Sequence, residues 1–267
     1  MSSLVVLGDS FAEIRPNIDY VWQLQLSQKL KLDLVNIAHN GASSEWLMLK
    51  ISQYLEGNLT RSDRLVVIIP FWERICIWPD RPDLTNNYPL ESLDKDWVKN
   101  TDKLPDFIKK KLDGLSLKEK TAFDYYFKHL KNDELTILKS SALLNWINNI
   151  GSNLDNPPII IDSHCFVEHS NCNLENCVVA KGSLFPVCEN EFASKDVFFE
   201  YTNTGPFNDF RAGHFSECNH TILAEKIYNT MINDCDLDIT QGFYEGFVDL
   251  PGTQTKSWLQ KVRDVIK

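Results

Sequence analysis

No apolar run in this chain of 267 residues is long enough to cross a bilayer, and no Lys/Arg block interrupts it. The first absence argues against a membrane-spanning helix. The second, with a formal net charge of −10 at pH 7, argues against nucleic acid or an anionic membrane as the main partner, because both are held by clustered cations. A neutral or cationic ligand suits such a surface better. There is no basic and apolar leader either: Met1-Ser2-Ser3 runs straight into Leu4-Val5-Val6-Leu7, which leads to the expectation of a soluble, cytoplasmic protein, with viral or lytic release left open. No Gly-x-Gly-x-x-Gly or P-loop follows any apolar run, which weighs against a nucleotide site. Internal repeats and low-complexity tracts are absent. The seven cysteines are odd in number and read as reduced thiols. His164, Cys165, His169, Cys172, Cys177 and Cys188 fall close together, but none of their gaps is a Cys-x2-Cys knuckle, so they read as small residues of a long loop and no metal or cofactor is expected.

What is present is ordinary globular material, 43% hydrophobic and 24% charged, enough for one large core. Near-continuous apolar runs at Leu4 to Leu7, Leu32 to Ala38, Arg64 to Pro70 and Pro158 to Asp162 have the character of strands buried on both faces of a parallel sheet. Amphipathic helical patterns lie between them, at Asp19 to Lys31, Ser44 to Glu56 and Asp133 to Ile150, and another follows at Ser216 to Asn233. The alternation predicts an α/β fold with a doubly wound, flavodoxin-like parallel sheet of about five strands, and Val197 to Tyr201 is the expected fifth. Prolines and a charged helical stretch, Asp106 to Leu130, mark an insertion over about 78–130. His164 to Lys195 reads as irregular. One domain over 1–235 and a packed extension over 236–267 are expected.

Ligands of parallel α/β sheets bind beyond the carboxyl ends of the strands. Three features converge there: Ser10 after the first strand, Gly41 after the second, and His214 opening the last helix in Gly213-His214-Phe215-Ser216. Acyl transfer needs a hydroxyl nucleophile, an imidazole to move its proton, and amide donors for the oxyanion, and one pocket here can gather all three. Read alone, Gly8-Asp9-Ser10 is also a common turn with an Asx-type cap. Asp162 and His164 end the fourth strand at the same edge, and Phe71, Trp72 and Trp78 make it rich in aromatics.

On Gly8-Asp9-Ser10, on Asn36 with Gly41, and on Gly213-His214-Phe215-Ser216 with His220, taken in that order, the chain resembles the SGNH or GDSL-type hydrolases. The resemblance runs from residue 4 to about 231. It implies Ser10 as nucleophile, His214 as general base, and the amides of Ser10 and Gly41 as oxyanion donors. Two positions depart from the family pattern. Pro70-Phe71-Trp72-Glu73-Arg74 lacks the expected Asn, leaving Arg74 or a backbone amide as oxyanion donor. Position 211 is Arg211 where an Asp is usual, leaving Asp209 as the acid, or else a Ser-His dyad. The implied activity is ester hydrolysis through an acyl-enzyme, with a small acyl group on a carbohydrate or other small-molecule ester as substrate. The rival is a non-catalytic binding or structural domain, viral or phage-type, that keeps the fold.

Overall fold

Leu4, Val5, Val6 and Leu7 offer no polar face, so the strand they form needs cover on both sides. In the computed structural model, which describes residues 2–14, 18–55, 58–71, 116–125, 133–164, 166–167, 170, 172–192 and 214–246, that cover comes from two separate apolar clusters. Leu4 and Val6 of β1 (Ser3–Gly8) belong to one, with Trp22, Leu26, Phe215, Leu223 and Ile227. Val5 and Leu7 belong to the other, with Trp46, Leu47, Leu143, Leu144 and Ile147. The period of two along a strand divides neighbouring residues between the two faces.

The sheet has five strands in the order β2-β1-β3-β4-β5, every pairing parallel. The others are β2 (Asp33–Ala38), β3 (Arg64–Ile69), β4 (Ile159–Asp162) and β5 (Val178–Ser183). This is the flavodoxin-like α/β arrangement expected from the sequence. Helix α1 (Trp22–Leu30) joins β1 to β2, and α2 (Ser44–Leu55) carries the chain back past β1 to β3. A short α3 (Leu117–Tyr125) and a long α4 (Asp133–Gly151) precede β4. The reversal of direction puts α1 on one face and α2 with α4 on the other. Ser44 and Ser140 share a buried hydroxyl contact of 2.9 Å between α2 and α4. The first face also receives α5 (Leu184–Asn190) and α6 (Glu217–Asn233).

The fifth strand differs from expectation. It is β5, inside the stretch that reads as irregular, while Val197 to Tyr201 lies outside the described residues. β5 mixes buried, half-buried and solvent-facing residues instead of running apolar throughout, with Val179 and Lys181 exposed and Ala180 and Ser183 buried. Its outer edge is met by the chain after α6: Lys181 N donates to Leu237 O at 2.8 Å and Ile239 N to Lys181 O at 3.0 Å, with Leu237 and Ile239 buried in the core. Of the charged stretch Asp106 to Leu130, only 116–125 is described, and it contains α3. Among the described residues no helix is long and apolar enough to cross a membrane.

Candidate active site

The site begins where β1 cannot continue. At Gly8 a Cβ atom would come within 2.7 Å of Ile68 Cβ and 2.9 Å of Ala12 Cβ, so the chain passes β3 and folds back on itself only because no side chain is there. Asp9, fully buried, then shapes the turn. Its Oδ1 accepts from Phe11 N at 3.1 Å and its carbonyl from Ala12 N at 2.9 Å. The aspartate makes the Asx turn, and the hydroxyl of Ser10 is left to reach outward.

It reaches His214. The Ser10 Oγ to His214 Nε2 distance is 2.8 Å across 204 residues of sequence. Ser10 is only 4% exposed. His214 has φ 67°, a left-handed conformation that non-glycine residues seldom adopt and that costs about 1–2 kcal/mol. Its ring lies against Phe11, centroids 4.8 Å apart, and the next residue, Phe215, is fully buried with its ring 5.4 Å from that of Phe11. Phe11 is thus a spacer common to the serine turn and the histidine turn.

Gly41 is at the same sheet edge. It lies in the turn after β2 with φ 85°, where glycine is the natural occupant; Ala42 N bonds His39 O at 3.0 Å, and His39 N bonds Gly8 O at 3.1 Å, which ties that turn to the end of β1. Asn36 works between the two turns, donating from Nδ2 to Ala12 O at 2.8 Å and accepting Ala38 N at 3.0 Å. His220 does not face the serine: its Nδ1 accepts the backbone N–H of Trp22 at 3.3 Å, while Trp22 Nε1 donates to Phe11 O at 3.0 Å. Those two bonds tie α1 to both halves of the site. Asp209 and Arg74 lie outside the described residues.

At the end of β4, the Asp162 carboxylate receives backbone N–H groups: Oδ1 accepts His164 N at 2.9 Å and Oδ2 accepts Val167 N. The His164 ring stacks on Phe185 at 4.8 Å and 26°, meets Phe71 at 4.8 Å, and has Phe11 at 6.3 Å. An aromatic wall therefore runs from the serine turn to the ends of β3 and β5. Phe71 and His164 are legible in the sequence as edge residues. Phe185 is not, because it opens a helix in a segment without evident period. Of the neighbouring thiols, Cys188 is buried and Cys172 and Cys177 are half-buried; Cys165 and His169 lie outside the described residues.

Glu191 is the residue that sequence reasoning missed. It is fully buried, and its carboxylate accepts Ser216 N at 3.0 Å, Ser216 Oγ at 2.9 Å and Asn219 Nδ2 at 2.6 Å. A glutamate in Glu189-Asn190-Glu191 gives no sign in sequence that it will face inward.

No protein-family model matches the chain, and no curated protein does. A solved structure similar to it is described as a member of the lipolytic protein G-D-S-L family from Veillonella parvula DSM 2008. The two share 10% identity, with 84% of this chain and 95% of that chain covered and a TM-score of 0.37. A likeness that distant lends no weight to the chemistry, which stands on the geometry of the site itself.

Proposed function

We propose that the protein is a serine ester hydrolase, and the observation that carries this reading is the 2.8 Å contact between Ser10 Oγ and His214 Nε2 at the carboxyl edge of a parallel sheet. Ser10 Oγ attacks the ester carbonyl carbon while its proton passes to His214 Nε2. The oxyanion is held by the N–H groups of Ser10 and Gly41, assisted by Arg74. As the carbon–oxygen bond to the alcohol breaks, His214 returns the proton to the leaving oxygen. Water then enters by the same route, releases the acid and restores the serine. Asp209 orients the imidazole from its far nitrogen. The acyl group is small, of acetyl type, and the alcohol is a carbohydrate or similar small molecule, a substrate class that an aromatic-rich rim of Phe71, His164 and Phe185 suits.

The test is a fluorophosphonate probe together with turnover of p-nitrophenyl acetate and of an acetylated sugar. Labelling and turnover are expected in the parent and absent in Ser10→Ala, and His214→Ala should lose several orders of magnitude in kcat, since the pair acts as one unit. Asp209→Asn should lose far more than the loop control Asn208→Ala. A parent that is neither labelled nor active would leave a non-catalytic binding domain.

A further inference from the structure

The geometry points to Glu191 as the residue that positions His214, a role that rests on reading Ser10 and His214 as the reacting pair. Three donors from the start of α6 converge on this one buried carboxylate, and Ser216 N lies within reach of both its oxygens, at 3.0 and 3.2 Å. Hydrogen bonds to an ionised acceptor are short and strong, and the N-terminus of a helix favours negative charge. The carboxylate is itself locked in place. Asn219 also donates to Tyr244 O at 3.0 Å and accepts Tyr244 N at 2.8 Å, and Gly246 N donates to Asn190 O at 2.7 Å, so the chain beyond α6 closes under the cluster.

Holding the helix end does not account for this arrangement. Ser216 already caps α6 through its own Oγ, which accepts Asn219 N at 3.3 Å. Burying a carboxylate is expensive before compensation, and a neutral cap would avoid that cost. What the charge adds is a fixed grip on the N–H of Ser216, two residues after His214. His214 sits in a left-handed conformation, φ 67°, that local preference opposes. With Phe215 fully buried on one side and Ser216 held by Glu191 on the other, the peptide planes of 214–216 cannot relax, and the imidazole stays on Ser10 Oγ. The hydrogen bonds described for Glu191 go to Ser216 and Asn219 and not to the reacting pair, so its role is that of a positioning residue.

Glu191→Gln keeps the shape, removes the charge and turns an amide N–H towards the donors. Two readouts separate the roles, each taken at a temperature where circular dichroism shows the variant folded. In turnover of p-nitrophenyl acetate, kcat should fall about 10–100-fold, the scale of a small misplacement of a catalytic group, while KM moves by less than about threefold. In 15N NMR, the His214 Nε2 resonance, assigned by its loss in His214→Gln, should move towards that of a free imidazole. If Glu191→Gln does not fold, Ser216→Ala replaces it: the carboxylate stays and one of its bonds is lost, with a smaller fall in kcat and the same direction of shift expected. A folded variant with parental kcat and an unmoved His214 resonance would overturn the inference. A parent without turnover would sink the hydrolase reading alone, because the NMR shift still decides whether Glu191 holds His214 against Ser10.

Discussion

Asp9 and Ser10 divide one turn between them, the first spending its carboxylate on the backbone and the second leaving its hydroxyl for His214. The turn reading of Gly8-Asp9-Ser10 holds, and the same Asx turn leaves Ser10 facing His214, which is the geometry the nucleophile reading requires. Gly8 makes the turn possible, and Gly8→Ala should destabilise the protein by about 1–3 kcal/mol, the usual range for forcing atoms into a filled site, since the added Cβ meets Ile68 and Ala12 inside 3 Å; chemical denaturation would measure it. A second prediction at this scale concerns the thiols. Burial pushes the Cys177 thiol up to about 12, so it stays protonated at pH 8 and is a poor nucleophile, whereas Cys235 is free and exposed. Iodoacetamide at pH 8 should modify Cys235 and spare Cys177 in the folded protein, as read by peptide mass. The placing of Ser10, Gly41 and His214 at one sheet edge was legible because the first two follow strands and the third stands in a short recognisable string, although His214 does not open the last helix as expected: it lies in a left-handed turn two residues before the Ser216 cap of α6. Glu191 was illegible because its inward orientation is set by Ser216 and Asn219, which are remote in sequence, and no local pattern encodes that meeting.

Among the elements, those with a strong pattern were readable, β2 at one edge included, while β5 at the other edge was not. The apolar runs of β1, β3 and β4 announce strands because all three are covered on both faces, and α4 starts where its pattern starts, at Asp133. β5 escaped notice for a physical reason: Val178-Val179-Ala180-Lys181-Gly182-Ser183 carries a lysine and a glycine, and its register slips between Ile160 and Asp162 of its neighbour. A lysine, a glycine and irregular pairing together erase the pattern that betrays a central strand. The helix boundaries show the same dependence on local chemistry. α1 ends at Leu30 because Lys31 turns left-handed, φ 56°, with its N–H bonded to the carbonyls of Ser27 and Gln28. Lysine is a strained occupant of a position glycine fills freely, so Lys31→Gly should raise stability by roughly 0.5–1 kcal/mol. A midpoint lower than the parent's in thermal unfolding would contradict that account of the cap.

For the whole molecule, burial is graded across the sheet. β1, β3 and β4 are almost entirely inaccessible, β2 is half-buried after an exposed Asp33, and β5 is mixed. Opening free energy follows buried contact, so amide hydrogen exchange should be slowest in β1, β3 and β4 and faster in β2 and β5; equal protection in β2 would show that its pairing to β1, not its burial, governs opening. The pairing of Ser10 with His214 across 204 residues has a further consequence, in time instead of space. A ribosome delivers Ser10 long before His214, and Glu191 and Tyr244, which bond to residues just after His214, come from opposite sides of it in the order of synthesis. β1 to β4 are complete by Asp162, so their sheet can form on the nascent chain while the serine still has no imidazole beside it. The serine and histidine meet only when the chain has been made past α6. Until then the growing polypeptide is a scaffold with an idle hydroxyl, and a fragment ending between Asp162 and His214 should keep β1 to β4 and have no imidazole beside Ser10.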